Sequence, residues 1–432
     1  MQERVRRQMT VRRVALVSPH TCPLAELGSW ETGGMNVYLR ELGQALAQQG
    51  VQVDTFTRRQ ACEAPDVEEY VPGARVIHLD AGPQRHLDKY DVLDYLPDFA
   101  CALQRWRTVS EATYDVVHAH YWLAGRIAPA FAQRWNAPLV TTFHTLGTQK
   151  NAVAEQAIER EEDVRNDVER RLFSASDLAI ASTEIDRTNL IRAFGTGTPI
   201  EVIPGGVNLQ RFQPRARAEA RAELGLGEGP IVLFVGRLQR LKGVEVLLRS
   251  LAEIGGDEVG RPPVQALLVG GKGAPAGGRR SPEAAEAVRL QKLAAQLGIS
   301  DRVTFVGAVQ PDRLPLYYGA ADVTVMPSSY ESFGLVAVES LACGTPVVAS
   351  RVGGLTSIVR EGETGFLVPW RDPRLFAEAI ERVIWDPALR AQMAAAARPS
   401  VLRFGWDGIA ARHIAAYDAL RAGQPRAVGR HA

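Results

Sequence analysis

The sequence predicts an α/β protein of two doubly wound parallel sheets facing across a cleft. Three observations carry this. Short apolar runs alternate with helical stretches along nearly the whole chain, the pattern of strand–crossover–strand units. The pattern pauses at Pro204-Gly-Gly-Val-Asn-Leu-Gln-Arg-Phe-Gln-Pro214 and then begins afresh. With 432 residues the chain is long enough for two domains of ordinary size. The expected division is an N-terminal domain over 1–205 and a C-terminal domain over 206–404. A last amphipathic helix, 405–425, is expected to pack back on the first.

In the first half, Arg13–Ser18 reads as a strand, followed by a polar loop from His20 to Gly34. Met35, Tyr38, Leu39, Leu42 and Leu46 then mark one face of a helix that ends at Gly50. Further strands are read at 51–56, 75–80, 115–120, 138–144, 177–182 and 200–204. Helices are read around 91–107, 123–135, 155–173 and 184–194. In the second half strands are read at 230–236, 264–271, 302–307, 322–326, 346–350 and 365–368. Lys272–Ser281, rich in Gly, Pro and Arg, is expected to be a mobile loop.

Hydrophobic residues are 46% and charged residues 23%, an ordinary globular balance, and the formal net charge of +1 gives no field for nucleic acid. The basic stretches Arg4–Arg13 and Arg279–Arg280 read as a solvated tail and a loop. No run of about 18 apolar residues suggests a membrane span. The N-terminus has charges but no apolar core of the signal-peptide kind. Four scattered cysteines show no metal-ligand spacing, which points to reduced thiols and a cytoplasmic protein.

The most informative stretch is Glu331-Ser-Phe-Gly-Leu-Val-Ala-Val-Glu339. An apolar strand runs into a loop, and the loop into a helix start at Gly334. Free N–H groups and the helix dipole make that start suited to phosphate. Arg237 and Lys242 follow another strand end, as cations placed to hold phosphate would. Gly33-Gly34 opens the first helix, where backbone can approach a ligand closely. His118, His120 and His144 fall at strand ends, where open parallel sheets bind ligands. Each feature alone also has a plain structural reading: a solvated Glu pair, surface cations, a glycine turn, core histidines. No Walker-type GxxxxGK[ST] occurs, so ATP hydrolysis finds little support.

In combination the motifs resemble the retaining glycosyltransferases of the two-Rossmann-domain (GT-B) type, group 1. Glu331/Glu339, Val235-Gly-Arg-Leu…Lys242-Gly243, Gly344-Thr-Pro…Val352-Gly-Gly and Gly33-Gly34 carry the likeness. Within that group, Gly33-Gly-Met-Asn-Val-Tyr38, His120-Tyr-Trp122 and His144-Thr-Leu146 are most similar to the inositol-phosphate N-acetylglucosaminyltransferases of mycothiol synthesis. The sucrose-phosphate synthases come next. The resemblance implies a UDP-sugar as donor and a small phosphorylated acceptor, either an inositol phosphate or fructose 6-phosphate. It implies donor contacts from His20, Gly34, Arg237, Lys242, Ser332, Phe333, Gly334, Leu335 and Glu339. Acceptor contacts would come from Asn36, Lys89, Tyr121, Thr145 and Arg165. His144, Arg237, Lys242 and Glu331 would be the catalytic set, with no metal site. No cofactor is required, with Mg2+ left open, as is a homodimer. Three departures bear on the acceptor: Glu31-Thr32 where Asp-Ser is usual, Glu26-Leu27 where Gln-Pro is usual, and Met35 where sucrose-phosphate enzymes carry Gln. A non-catalytic nucleotide-sugar-binding protein on the same fold is the alternative of another class.

Overall fold

The computed structural model describes residues 11–25, 33–254, 261–271 and 282–423. The expectations for the basic tail before Val11, for Lys272–Ser281, and for Glu26-Leu27 and Glu31-Thr32 lie outside these residues.

Eight strands form the first sheet: β1 Arg13–Val17, β2 Gln52–Arg58, β3 Val67–Val71, β4 Ala74–Leu79, β5 Val116–His120, β6 Leu139–Thr142, β7 Leu178–Ala181 and β8 Ile200–Val202, ordered β3-β4-β2-β1-β5-β6-β7-β8. Six form the second: β9 Ile231–Val235, β10 Gln265–Val269, β11 Val303–Gly307, β12 Val323–Met326, β13 Val347–Ser350 and β14 Gly365–Val368, ordered β11-β10-β9-β12-β13-β14. All pairings are parallel except β3 with β4. The parallel strands at the centre are short and apolar because helices cover both their faces. In register, Val14 lies between Val53 and Val116, and all three are fully buried.

Strand order reverses direction between β1 and β5 in the first sheet and between β9 and β12 in the second. The loops leaving those four strands therefore flank the two crevices where such sheets hold ligands. They are the segments containing His20, Tyr121, Arg237–Lys242 and Glu331–Gly334.

Some elements differ from expectation. The β3 strand is Val-Glu-Glu-Tyr-Val, half exposed at the sheet edge, and its charges hide it from an apolar-run search. The helix read around 123–135 is two pieces, Tyr121–Ala124 and Ala128–Trp135, with Pro129 in the first turn of the second. The stretch read at 155–173 is a short turn at Ala157–Glu159 followed by a helix over Asp163–Ala175. A further short helix, Gly147–Val153, was not expected.

The last helix, Trp406–Arg421, lies on the first lobe. Trp406, Ile409, Ile414 and Tyr417 join the core formed with Val14, Tyr38 and Leu42. The Val11 N–H donates to Asp418 at 2.9 Å, and Tyr417 Oη meets His118 Nδ1 at 2.7 Å. The chain thus passes between the lobes twice. The two passages run side by side: the Val207 N–H donates to the Phe404 carbonyl at 2.8 Å, and Val207 pairs with Gly405.

Candidate active site between the lobes

The paired glycines of the first lobe face the second. A Cβ on Gly33 would stand 3.4 Å from Arg237 Nε, and one on Gly34 would stand 3.2 Å from Leu335 Cδ1. Larger side chains there would wedge the lobes apart. Ser332 reaches across to donate to Asp186 Oδ2 at 2.6 Å. Arg240 lies 3.6 Å from Glu159, and Arg371 lies 2.7 Å from Glu155, so the second lobe also grips the 155–159 segment of the first.

On the second-lobe side, Lys242 Nζ pairs with Glu331 Oε2 at 2.6 Å. The two residues come from the loops after β9 and β12, the strands at the reversal point. Gly334 precedes the eight-residue helix Leu335–Ala342, whose first turn contains no acidic residue. The Glu331 loop is backed by Gly353, whose φ is +44°. A Cβ there would sit 1.8 Å from the Glu331 carbonyl oxygen, so only glycine fits. Glu339 lies within the helix, buried, accepting from Tyr318 Oη at 2.8 Å. Burial raises its pKa to about 7; the Tyr318 bond opposes the rise and Glu41 adds to it. The Phe333 ring packs against Phe404, 5.5 Å between centroids, and over Gly205. Its side chain thus serves the seam between the lobes.

On the first-lobe side, five charged groups gather at the ends of β5 and β6. Glu161, almost fully buried, is contacted by Lys89 Nζ at 2.6 Å, by Arg165 at 3.0 Å and by Lys150. Arg165, wholly buried, also meets Glu169 at 2.7 Å, Tyr121 Oη at 2.9 Å, and the Thr145 hydroxyl and carbonyl at 3.0 and 2.8 Å. Burial alone would raise the Glu161 pKa, but Arg165, Lys150 and Lys89 hold it well below the usual carboxylate range. Burial and neighbouring Lys89 bring Lys150 down to about 8. His20, with its ring 4.7 Å from Tyr121, is lowered to about 3, by burial first and then by His144, Lys89, Arg165 and Arg237. Cations of both lobes thus reach His20, Lys89 and Arg165 from the first and Arg237 from the second. An anion placed there would be attracted.

Asn36 sits in the first turn of the helix Gly34–Gln48. It is buried, its amide donates to Thr21 Oγ1 and to the Cys22 carbonyl, and its oxygen accepts from the Gly33 N–H at 3.0 Å. These bonds hold the loop after β1 beside the crevice. The histidines at 118 and 120 are fully buried behind the site, the plain reading of their sequence position. His144 stands in front of them, in the left-handed region at φ +61°. Among the described residues no group of three or more His, Cys, Asp or Glu is arranged to hold a metal ion.

Two halves of the chain match known families separately: residues 32–211 match Glycosyltransferase Family 4, and residues 216–399 match Glycosyl transferases group 1. A protein from Acidothermus cellulolyticus named D-inositol 3-phosphate glycosyltransferase is 42% identical over 416 residues, covering 95% of this chain and 91% of the relative. The chain belongs to the group-1 glycosyltransferases. Another such relative, from Nocardiopsis dassonvillei and of the same name, is 42% identical over 96% of both chains. Among solved structures, sucrose-phosphate synthase from Thermosynechococcus elongatus is 38% identical with a TM-score of 0.88, covering 96% of this chain and all of that one. HepE from Anabaena, solved with UDP and glucose, shares the fold at 22% identity and TM-score 0.72, over 94% of this chain. The two α/β lobes are those of the GT-B glycosyltransferases, and the protein is a glycosyltransferase. A purely binding role on this fold finds no support among these relatives.

Several residues of this glycosyltransferase's crevice were not anticipated from sequence: Lys150, Glu161, Glu169 and Asp186. Glu161, Arg165 and Glu169 do repeat at i, i+4, which could have flagged them as one helix-face ion group. Asp186 gave no signal, because its partner Ser332 lies 146 residues away.

Proposed function

We propose that this protein transfers a hexosyl group from a UDP-sugar to a small phosphorylated polyol of the inositol-phosphate type, with retention at the anomeric carbon. The observation that carries the reading is the pair of cationic groups facing each other: Lys89 and Arg165 with Tyr121 and Thr145 on one side, Arg237 and Lys242 with the Gly334 helix start on the other. One group suits the phosphate of an acceptor, the other the diphosphate of a donor. In this reading 1–205 with the helix at 405–425 forms the acceptor lobe, and 206–404 the donor lobe.

Arg237, Lys242 and the helix-start amides stabilise charge as the diphosphate leaves. Ser332, Phe333, Gly334 and Leu335 line it through their backbone. Glu331 orients the donor sugar, and Glu339 takes the hydroxyls of the ribose. His20, Gly34 and His144 border the donor from the first lobe. The acceptor hydroxyl attacks from the face the diphosphate leaves, and a departing phosphate oxygen takes its proton, so no protein nucleophile is needed. Closure of the lobes excludes the water that would otherwise hydrolyse the donor. The scheme requires no cofactor, and titrating Mg2+ into the assay checks that. Both proposed substrates are water-soluble, in keeping with a cytoplasmic enzyme.

The names of the relatives support an inositol phosphate as acceptor. A second acceptor, fructose 6-phosphate, is favoured by the likeness to sucrose-phosphate synthase. The test is a donor-by-acceptor panel with UDP release and product mass as readouts, including inositol phosphate, fructose 6-phosphate and their dephosphorylated forms. The phosphorylated acceptors should be used far better than their dephosphorylated counterparts. Equal use of both would remove the role given to Lys89 and Arg165.

A further inference from the structure

His120 ends β5, and His144 lies two residues beyond the end of β6. In register His120 stands beside Thr142, and the left-handed backbone at His144 turns its ring back toward His120. The rings lie 5.3 Å apart, with His120 Nδ1 and His144 Nε2 at 3.1 Å. His120 is held on its other face by the His118 ring, at 4.0 Å. That ring is itself pinned, bonded through both nitrogens to Tyr417 and Thr142. His120 therefore has little freedom to turn. Its Nε2 is buried and has no hydrogen-bond partner among the described residues.

Burial holds His120 and His144 far below the ordinary histidine pKa, so both rings are neutral and each carries one proton. A nitrogen–nitrogen contact needs one donor and one acceptor. If His144 donated, the proton of His120 would sit on Nε2 as a buried N–H with nothing to receive it. If His120 donates from Nδ1, its Nε2 is left as a bare lone pair. Orphaned buried N–H groups are the rarer and costlier case. The second arrangement therefore prevails, and it leaves the proton of His144 on Nδ1, the nitrogen turned away from His120.

We infer that His120 is a positioning residue that locks His144 as the Nδ1–H tautomer, so that His144 offers a hydrogen-bond donor, not a base, to the bound nucleotide sugar. This rests on the glycosyl-transfer reading above for the identity of the ligand. A donor there suits an electron-rich oxygen, either a sugar hydroxyl or the departing phosphate. It also agrees with a reaction in which the leaving group, not the protein, collects the acceptor proton.

The experiment has two arms. The full-length protein, labelled with 15N at histidine, is examined by long-range 15N–1H correlation at neutral pH, and the His144 signal is identified by its loss in His144→Asn. The expected result is Nδ1–H; an Nε2–H ring or an imidazolium overturns the inference. In the second arm His120→Asn, whose amide places an N–H near the position of Nδ1, is compared with His120→Leu. His120→Asn should keep turnover near wild type, while His120→Leu should lose about tenfold, the scale of one removed donor, with donor KM little changed. Equal losses in the two variants, or none in His120→Leu, also overturn it. The tautomer is read without substrate, so its failure stays distinct from failure of the functional reading, which would show as no UDP release by the wild-type enzyme.

Discussion

The cation group of the first lobe and that of the second are built on opposite plans. Arg165 is wholly buried and bonded at every face, and Glu161 and Glu169 are buried with it. Lys242 and Glu331 remain partly exposed, and Arg237 has no ion-pair partner among the described residues. The first group is therefore held by the fold as well as being the proposed acceptor site, and the second is proposed to serve mainly the ligand. Removing a member of the first should cost stability, whereas removing a member of the second should cost rate.

The largest effect should come from Arg165→Met. It leaves Glu169 without its ion-pair partner and Glu161 with one cation fewer, both out of water. A loss of about 3–5 kcal/mol in urea unfolding is expected, the scale for breaking a buried pair. Unchanged stability would mean that the two plans do not differ. Next comes Lys242→Ala, which should lower turnover by roughly 10²-fold, the scale for one preorganised charge contact, with the urea midpoint within error of wild type. A stability loss as large as that of Arg165→Met would erase the contrast.

Asp186 sharpens the comparison, since it links the lobes. Burial raises its pKa to about 7, with Glu331 adding to the rise and Ser332 opposing it. A carboxyl raised from its usual range favours folding while protonated, so its contribution is complete below about pH 4. It is lost as pH rises through about 7. Asp186→Asn should therefore gain on wild type in unfolding free energy between pH 5 and pH 8. A constant difference across that window would exclude the shift. The smallest effect should be that of Ser332→Ala, about 1 kcal/mol for one hydrogen bond, read as a modest fall in closed-state thermal stability with added UDP. A loss comparable to Arg165→Met would place the latch in the first plan instead.

What could be read from sequence were the features that repeat locally. Apolar runs gave the parallel strands, and the residues after β9 and β12 gave Arg237, Lys242, Glu331 and the Gly334 helix start. The amphipathic last helix was legible as returning to the first lobe, where Trp406, Ile409 and Ile414 lie in one core with Val14 and Leu42. What escaped depends on distant partners. Lys150 reads as an ordinary surface residue until folding brings it to Glu161. The bonds from Asn36 to the loop after β1 cannot be seen in its motif either. The β3 strand pairs antiparallel at an edge, where charge is tolerated and periodicity fades.

The chain crosses between the two lobes where Val207 and Gly405 lie side by side, with Trp406 close over Gly206 and Phe333 close over Gly205. Such a doubled strap behaves as an axle. In the lobe closure proposed above, it would permit rotation at the mouth opposite and resist sliding or twisting of one half past the other. Substrate entry and product exit must then share one swing, and a reagent that stiffens this strap should slow both by the same factor.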